Sequence, residues 1–195
     1  MARKNKTRYA LLGMLTYQPM SGYDMKQMSD HSISHFWNEN YGNIYPVLKK
    51  MESEGLVTMK KKEREGTPAR KVYTITDTGR AEFSKWMAAP PVPGILREEL
   101  LLQIFFGQWT SPDVIKEKIK AEDKRCKDII TDLESIRDHL ESDTDIREAP
   151  KEIRSVLVQG TPYWKHTVEF GLHYYSGIRG WCAETIRSIE ENHRG

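Results

Sequence analysis

Asn40, Tyr41, Asn43, Tyr45 and Lys49 crowd amide, phenol and ammonium groups into one short stretch, a set suited to recognising base edges and phosphates. An Asn amide both donates and accepts, so it can pair with the edge of adenine, whereas Tyr and Lys more often hold phosphate or sugar. Two other roles compete. Asn43 is equally suited to capping a helix, and Tyr45 to packing inward. A second group, Lys60, Lys61, Lys62, Arg64, Arg70 and Lys71, flanks a polar segment containing Gly66 and Pro68. Such cations either contact a phosphate backbone or lie solvated on a charged hairpin.

Catalytic chemistry finds no comparable set. The chain has no G-x-S-x-G, no H-E-x-x-H, no Gly-rich phosphate loop, and no Cys and His close together in a nucleophile pattern, so no catalytic residue and no cofactor is expected. His166, Glu169 and His173 fall at i, i+3 and i+7, which places them on one helical face. A polar stripe or the lining of a ligand pocket accounts for them as well as a metal does, and no metal is assigned. Cys126 and Cys182, the only cysteines, form no C-x-x-C pair and lie in segments that read as helical, so reduced core thiols are expected.

The elements that must position the first two groups follow from hydrophobic spacing. Leu11, Met14 and Leu15 mark a first helix with Thr7 available as its cap, and Ser21-Gly-Tyr-Asp24 opens a second that runs to about His31. Ile44, Val47, Leu48 and Met51, at i, i+3, i+4 and i+7, mark a third that stops at Gly55. Pro46 must lie in its first turn, which puts the cap between Asn40 and Asn43. Residues 56–61 and 71–76 then alternate as strands joined by a long loop over 62–70, and Thr76-Asp77 begins a helix through Phe83, Trp86 and Met87. This order is that of a winged helix-turn-helix.

Beyond Pro90-Pro91-Val92-Pro93-Gly94 the pattern becomes wholly helical. Residues 95–109 read as an apolar helix, Ser111-Pro112-Asp113 caps a long one to about Ser142, 143–150 as linker, 151–162 as a short helix and 163–192 as a second long one. Ile129, Leu133, Ile136 and Leu140 continue a three-four seam that, with Trp181, is expected to form a dimer interface. Trp109, Trp164 and Tyr174 suit an effector cavity for flat apolar molecules, with ordinary core and dimer packing as the competing role.

Charge divides at the same place. Residues 1–88 hold 15 Lys and Arg against 9 Asp and Glu, a net +6, while the remainder carries −4 of the chain's total of +2. A basic module joined by a stiff hinge to an acidic one implies that the first alone meets a polyanion. No apolar run approaches the ~18 residues of a membrane span, and the short Ala10 to Leu15 stretch lacks the features of a signal peptide. The expected organisation is therefore a mainly α, cytoplasmic chain. Residues 1–89 form a winged helix-turn-helix, 90–94 a hinge, and 95–195 a helical, coiled-coil-like dimerisation domain that also accommodates any effector.

Gly42-Asn-Ile-Tyr-Pro-Val-Leu-Lys-Lys-Met-Glu-Ser-Glu-Gly-Leu-Val57, followed by Thr67-Pro-Ala-Arg-Lys-Val-Tyr-Thr-Ile-Thr-Asp-Thr-Gly-Arg80, closely resembles the PadR family of bacterial transcriptional regulators. Ser21-Gly22-Tyr23-Asp24 fits the same pattern, and the tail resembles the long-tailed, virulence-activator-like branch of that family. The resemblance implies a homodimer that binds double-stranded DNA, usually as a repressor and in some members released by small aromatic ligands. Two alternatives remain open: an activator, or a protein-interaction adaptor using its tail.

Overall fold

The computed structural model describes residues 6–37, 44–64, 67–94 and 96–192, and the chain divides into two compact units, Met1–Val92 and Pro93–Gly195. In the first, three helices precede a hairpin and a fourth helix: α1 (Thr7–Leu15), β1 (Met20–Ser21), α2 (Gly22–Ser32), α3 (Ile44–Ser53), β2 (Val57–Arg64), β3 (Thr67–Ile75) and α4 (Asp77–Met87). The apolar faces of these elements converge on one core, with Leu12, Leu15, Met25, Leu48, Met51 and Val57 at its centre. This is a winged helix-turn-helix.

Its joints are made by specific backbone bonds. Gly55 takes the left-handed φ of 71° that ends α3, with its N–H donating to Glu52 O at 3.0 Å and that of Leu56 to Met51 O at 2.9 Å. Thr76 then serves two elements. Its hydroxyl donates to Gly55 O at 2.7 Å and accepts from Gly79 N at 3.0 Å, tying the end of α3 to the start of α4. Tyr9 of α1 stacks on Trp86 of α4, ring centroids 4.7 Å apart, and donates to Glu82 Oε1 at 3.0 Å. The α1 start differs from expectation, since Lys6 occupies the cap position and Thr7 lies buried in the first turn.

The three-stranded sheet runs in the order β1-β3-β2, antiparallel throughout. Val57 faces Ile75, Met59 faces Tyr73 and Lys61 faces Lys71, so the core-directed row of the ribbon begins apolar and ends in two lysines. Pairing continues through Lys62 with Arg70 to Arg64 with Thr67, so most of the loop expected at 62–70 is strand. Lys62 and Arg70 pair where the apolar residues of the ribbon have ended, so the apolar alternation that marks a strand in sequence is lost. The two-residue β1 is too short to show any alternation, and it was not expected.

The second unit comprises α5 (Glu99–Phe105), a 3₁₀ turn at Gly107–Trp109, α6 (Pro112–Glu141), α7 (Thr144–Glu148) and α8 (Lys151–Asn192). Ser111 caps α6 with Pro112 at the first helical position. The apolar helix expected over 95–109 is shorter, the 143–150 linker contains α7, and the last two expected helices are one of 42 residues. Pro162 sits inside it. The helix continues through it, although the proline supplies no N–H to the carbonyl of Val158 four residues earlier.

Antiparallel packing of α6 on α8 organises this unit. Ile119, Cys126 and Leu133 on one helix and Thr161, Val168 and Cys182 on the other are buried at intervals of seven or its multiples, the spacing of a two-helix seam. Arg179 Nε donates to Asp123 Oδ1 at 2.8 Å and Arg125 lies 5.8 Å from the centre of the Tyr175 ring, which sets the register. The seam expected to join two subunits is therefore largely used within one. Leu133 is 1% exposed, Trp181 packs on the Ile115 and Ile119 cluster, and Ile129, Ile136 and Leu140 are half-buried. Burial pushes the Cys126 thiol up to about 12, reinforced by Glu122, and raises Cys182 as well, so both are unreactive core groups.

A Cβ at Gly79 would stand 2.2 Å from Leu56 O, a backbone atom that cannot swing aside, whereas one at Gly177 meets nothing. Gly79→Ala should lower unfolding stability by about 3 kcal/mol, and Gly177→Ala should leave it unchanged or raise it by up to ~1 kcal/mol. Thermal unfolding of the two variants checks both signs.

Candidate nucleic-acid interface

The exposed side of α3 carries Tyr45 and Lys49 one turn apart, opposite the buried row of Ile44, Val47, Leu48 and Met51. Tyr45 does not pack into the core. Its ring is 58% exposed and lies across the backbone of Gly22, where an added Cβ would come within 2.8 Å of Cε1. Asn40, Tyr41 and Asn43 lie outside the described residues.

On the wing, strand alternation separates the cations. Lys61 and Lys71 are direct cross-strand partners beyond the core, while Lys60 and Lys62 project from the opposite face, and all four are exposed. None of the described carboxylates pairs with them. Arg64 ends β2, its side chain lying outside what the structure describes.

Arg70 departs from its expected role as a phosphate contact. Its Nε donates to Ser21 Oγ at 3.0 Å and its Nη2 to Asp24 Oδ1, so the guanidinium is engaged inside the protein. Ser21 and Asp24 form the capping box of α2: the Ser21 amide donates to Asp24 Oδ2 at 2.9 Å, and Asp24 N donates back to Ser21 Oγ at 3.3 Å. Burial pushes the Asp24 carboxyl up, but the Ser21 amide and hydroxyl together with Arg70 outweigh it and hold the group below its ordinary 3.8. Tyr23, exposed at the start of α2 with its hydroxyl accepting from Gln27 Nε2 at 3.0 Å, joins the same surface. Its only sequence signal was its place in Ser21-Gly-Tyr-Asp24.

In the second unit, Trp109, Trp164 and Tyr174 do not converge. Trp109 is 84% exposed and shares an open groove of about 400 Å³ with Leu102, Phe106, Val114, Ile115 and Lys118. Ile115 packs near Cys182, and Trp164 stands 18 residues before Cys182 on the same helix, about 27 Å away at 1.5 Å per residue. Its indole lies over Gly160. Tyr174 instead stacks with Phe170 on the exposed side of α8, centroids 6.0 Å apart. Lys118 Nζ donates to Gln103 Oε1 at 2.6 Å at the groove wall. Among the described residues no cluster of three His, Cys, Asp or Glu could hold a metal ion, and His173 Nδ1 is 2.8 Å from Glu169 O. No helix of the described residues is long and apolar enough to cross a membrane.

Comparison with known proteins places this geometry. Residues 11–85 match the Transcriptional regulator PadR-like family, and residues 96–190 the family Virulence activator alpha C-term. The Negative transcriptional regulator PadR of Bacillus subtilis is 28% identical over 127 residues, covering 63% of this chain and 70% of that protein. A PadR-like transcriptional regulator from Bacillus cereus superposes with a TM-score of 0.72 at 26% identity, over 96% of this chain and 98% of that one. Bacillus subtilis PadR in complex with operator DNA gives 0.76 at 22% identity over 96% and 99% of the two chains. The same protein in complex with p-coumaric acid gives 0.68 at 24% over 94% and 98%. The two Bacillus subtilis structures establish a shared fold.

The lowered Asp24 group makes a signed prediction. Its contribution is complete above pH 3.8 and is lost as pH falls through the depressed folded value, because the unfolded chain takes up the proton first. Asp24→Asn should therefore lower denaturant midpoints throughout the range above about pH 4, where that contribution is complete, and flatten the stability curve below it.

Proposed function

The chain belongs to the PadR-like family of transcriptional regulators and is not an enzyme, and from that premise we propose that it is a sequence-specific DNA-binding repressor acting as a homodimer on a pseudo-palindromic operator. One observation carries the DNA-binding part. Lys61 and Lys71 face each other directly across an exposed ribbon, an arrangement that costs free energy through like-charge repulsion and is relieved by an anion between them. With Lys60 and Lys62 on the other face, the ribbon offers cations to both sides, which suits a groove edge with phosphate backbones on either hand. Arg64 belongs with them by sequence position.

Base discrimination falls to the start of α3, where Asn40, Tyr41 and Asn43 precede Tyr45 and Lys49. A dimer would present its two α3 helices about 34–36 Å apart, the rise of one DNA turn. Tyr163, Phe170 and Tyr174 form an exposed aromatic stripe along α8 that supports self-association, together with the half-buried Ile129, Ile136 and Leu140. An effector, as in the p-coumaric acid complex of the Bacillus subtilis protein, is supported here by the groove around Trp109, whose apolar walls and Lys118 suit a flat aromatic acid. The virulence-activator match of residues 96–190 favours one second reading, an activator bound to DNA in the same way.

Phosphate contacts predict a salt signature. Lys61→Ala and Lys71→Ala should each weaken binding to every duplex alike and reduce the slope of log K against log salt by about one; slopes equal to that of the unmodified protein would argue against the wing as a phosphate ligand. Phe170→Glu should shift sedimentation from dimer to monomer while the far-ultraviolet spectrum stays helical, because the stripe contributes to neither buried cluster of the chain. A Phe170→Glu protein that remains dimeric would remove the aromatic stripe from the interface.

A further inference from the structure

The guanidinium of Arg70 is a cation on the wing that, although its side chain is only partly covered, is engaged within the protein. It lies across the strand from Lys62, yet it reaches back to Ser21 and Asp24 and is neutralised there. Ser21 is held at the same time by strand pairing with Val72 of β3, and the next residue, Gly22, carries the ring of Tyr45 from α3. Wing, α2 and α3 thus meet at one corner, formed by residues 21–24. A bidentate Arg holds an angle as well as a distance, because its planar fork fixes two donors at once.

We infer that Arg70 is a positioning residue: by gripping Ser21 and Asp24 it locks the wing to the corner on which Tyr45 rests, so that wing and reading helix meet DNA at one fixed separation. This rests on the DNA-binding reading above. A locked separation lets both elements engage one site together, and loosening it lets each engage alone. The lysines of the wing still find phosphates on any sequence. What is lost is simultaneous base contact, so the penalty falls on the preferred sequence more than on unrelated DNA.

The probe is a duplex enriched by the unmodified full-length protein from a random pool, with an unrelated duplex of equal length as reference. Failure to enrich any duplex would overturn the DNA-binding reading itself, and this inference with it. Once one is enriched, Arg70→Gln and Asp24→Asn are compared singly and together. Asp24→Asn keeps the side-chain shape and acceptor oxygen of the α2 cap, so it remains folded if Arg70→Gln does not.

Each single variant should reduce the ratio of preferred to unrelated affinity about tenfold, within the range by which members of one network are coupled, and the double variant should fall no further. Partial unfolding alone would lower affinity for both duplexes equally and leave the ratio intact. If Arg70 instead touches phosphate, Asp24→Asn frees it and raises affinity for both duplexes, while Arg70→Gln lowers both alike. Either of those patterns, or additive losses in the double variant, overturns the proposal.

Discussion

Ser21 belongs to two structures at once, and the first unit is arranged around that double duty. As the last residue of β1 it pairs with Val72, which makes the hairpin part of a three-stranded sheet. As the cap of α2 it accepts from Asp24 N and starts the helix that supports α3. A two-residue strand has little pairing of its own, so the corner depends on Arg70 and Asp24 to hold it. The ion pair is only partly covered by protein, with side-chain exposures of 33% and 39%, and its value lies more in fixing geometry than in net stability.

The cations of the wing follow from the same arrangement. Strand alternation assigns Lys60, Lys62 and Arg70 to one face and Lys61 and Lys71 to the other, and the Asp24 carboxylate then withdraws Arg70 from the first face. The lysines that remain are exposed, whereas the partly covered guanidinium of Arg70 is held against Ser21 and Asp24.

The second unit solves a different problem. A 30-residue helix and a 42-residue helix each carry an apolar seam, and folding back on each other buries Ile115, Ile119, Cys126 and Leu133 of the first and Val168 and Cys182 of the second. Register is set by polar contacts at the edge of the seam, Arg179 with Asp123 and Arg125 with Tyr175, because a heptad stripe alone permits slips of whole turns. What remains uncovered is both aromatic and aliphatic: Tyr163, Phe170, Tyr174 and Val158 on α8, Val114 on α6, and Leu101, Leu102, Phe105, Phe106 and Trp109 in α5 and the turn after it.

Local spacing determined the order of the four helices and the hairpin of the first unit, though not β1, together with the Ser21 cap, the helix start at Thr76, the Gly55 stop and the buried row of α3, because each depends on residues within a turn or two of one another. The motifs at 42–57 and 67–80 likewise carried the family. Tertiary structure alone decided where Arg70 spends its charge, since its partners lie 46 and 49 residues away. It also decided that the three-four seam of α6 finds its partner within the chain: a heptad stripe specifies that a helix will be covered and is silent on whether the cover is the same molecule or another. Trp109, Trp164 and Tyr174 failed as a set for a related reason. Trp164 and Tyr174 are held apart along the axis of one helix, and the antiparallel register of α6 and α8 places the Trp109 groove near Cys182, far from Trp164.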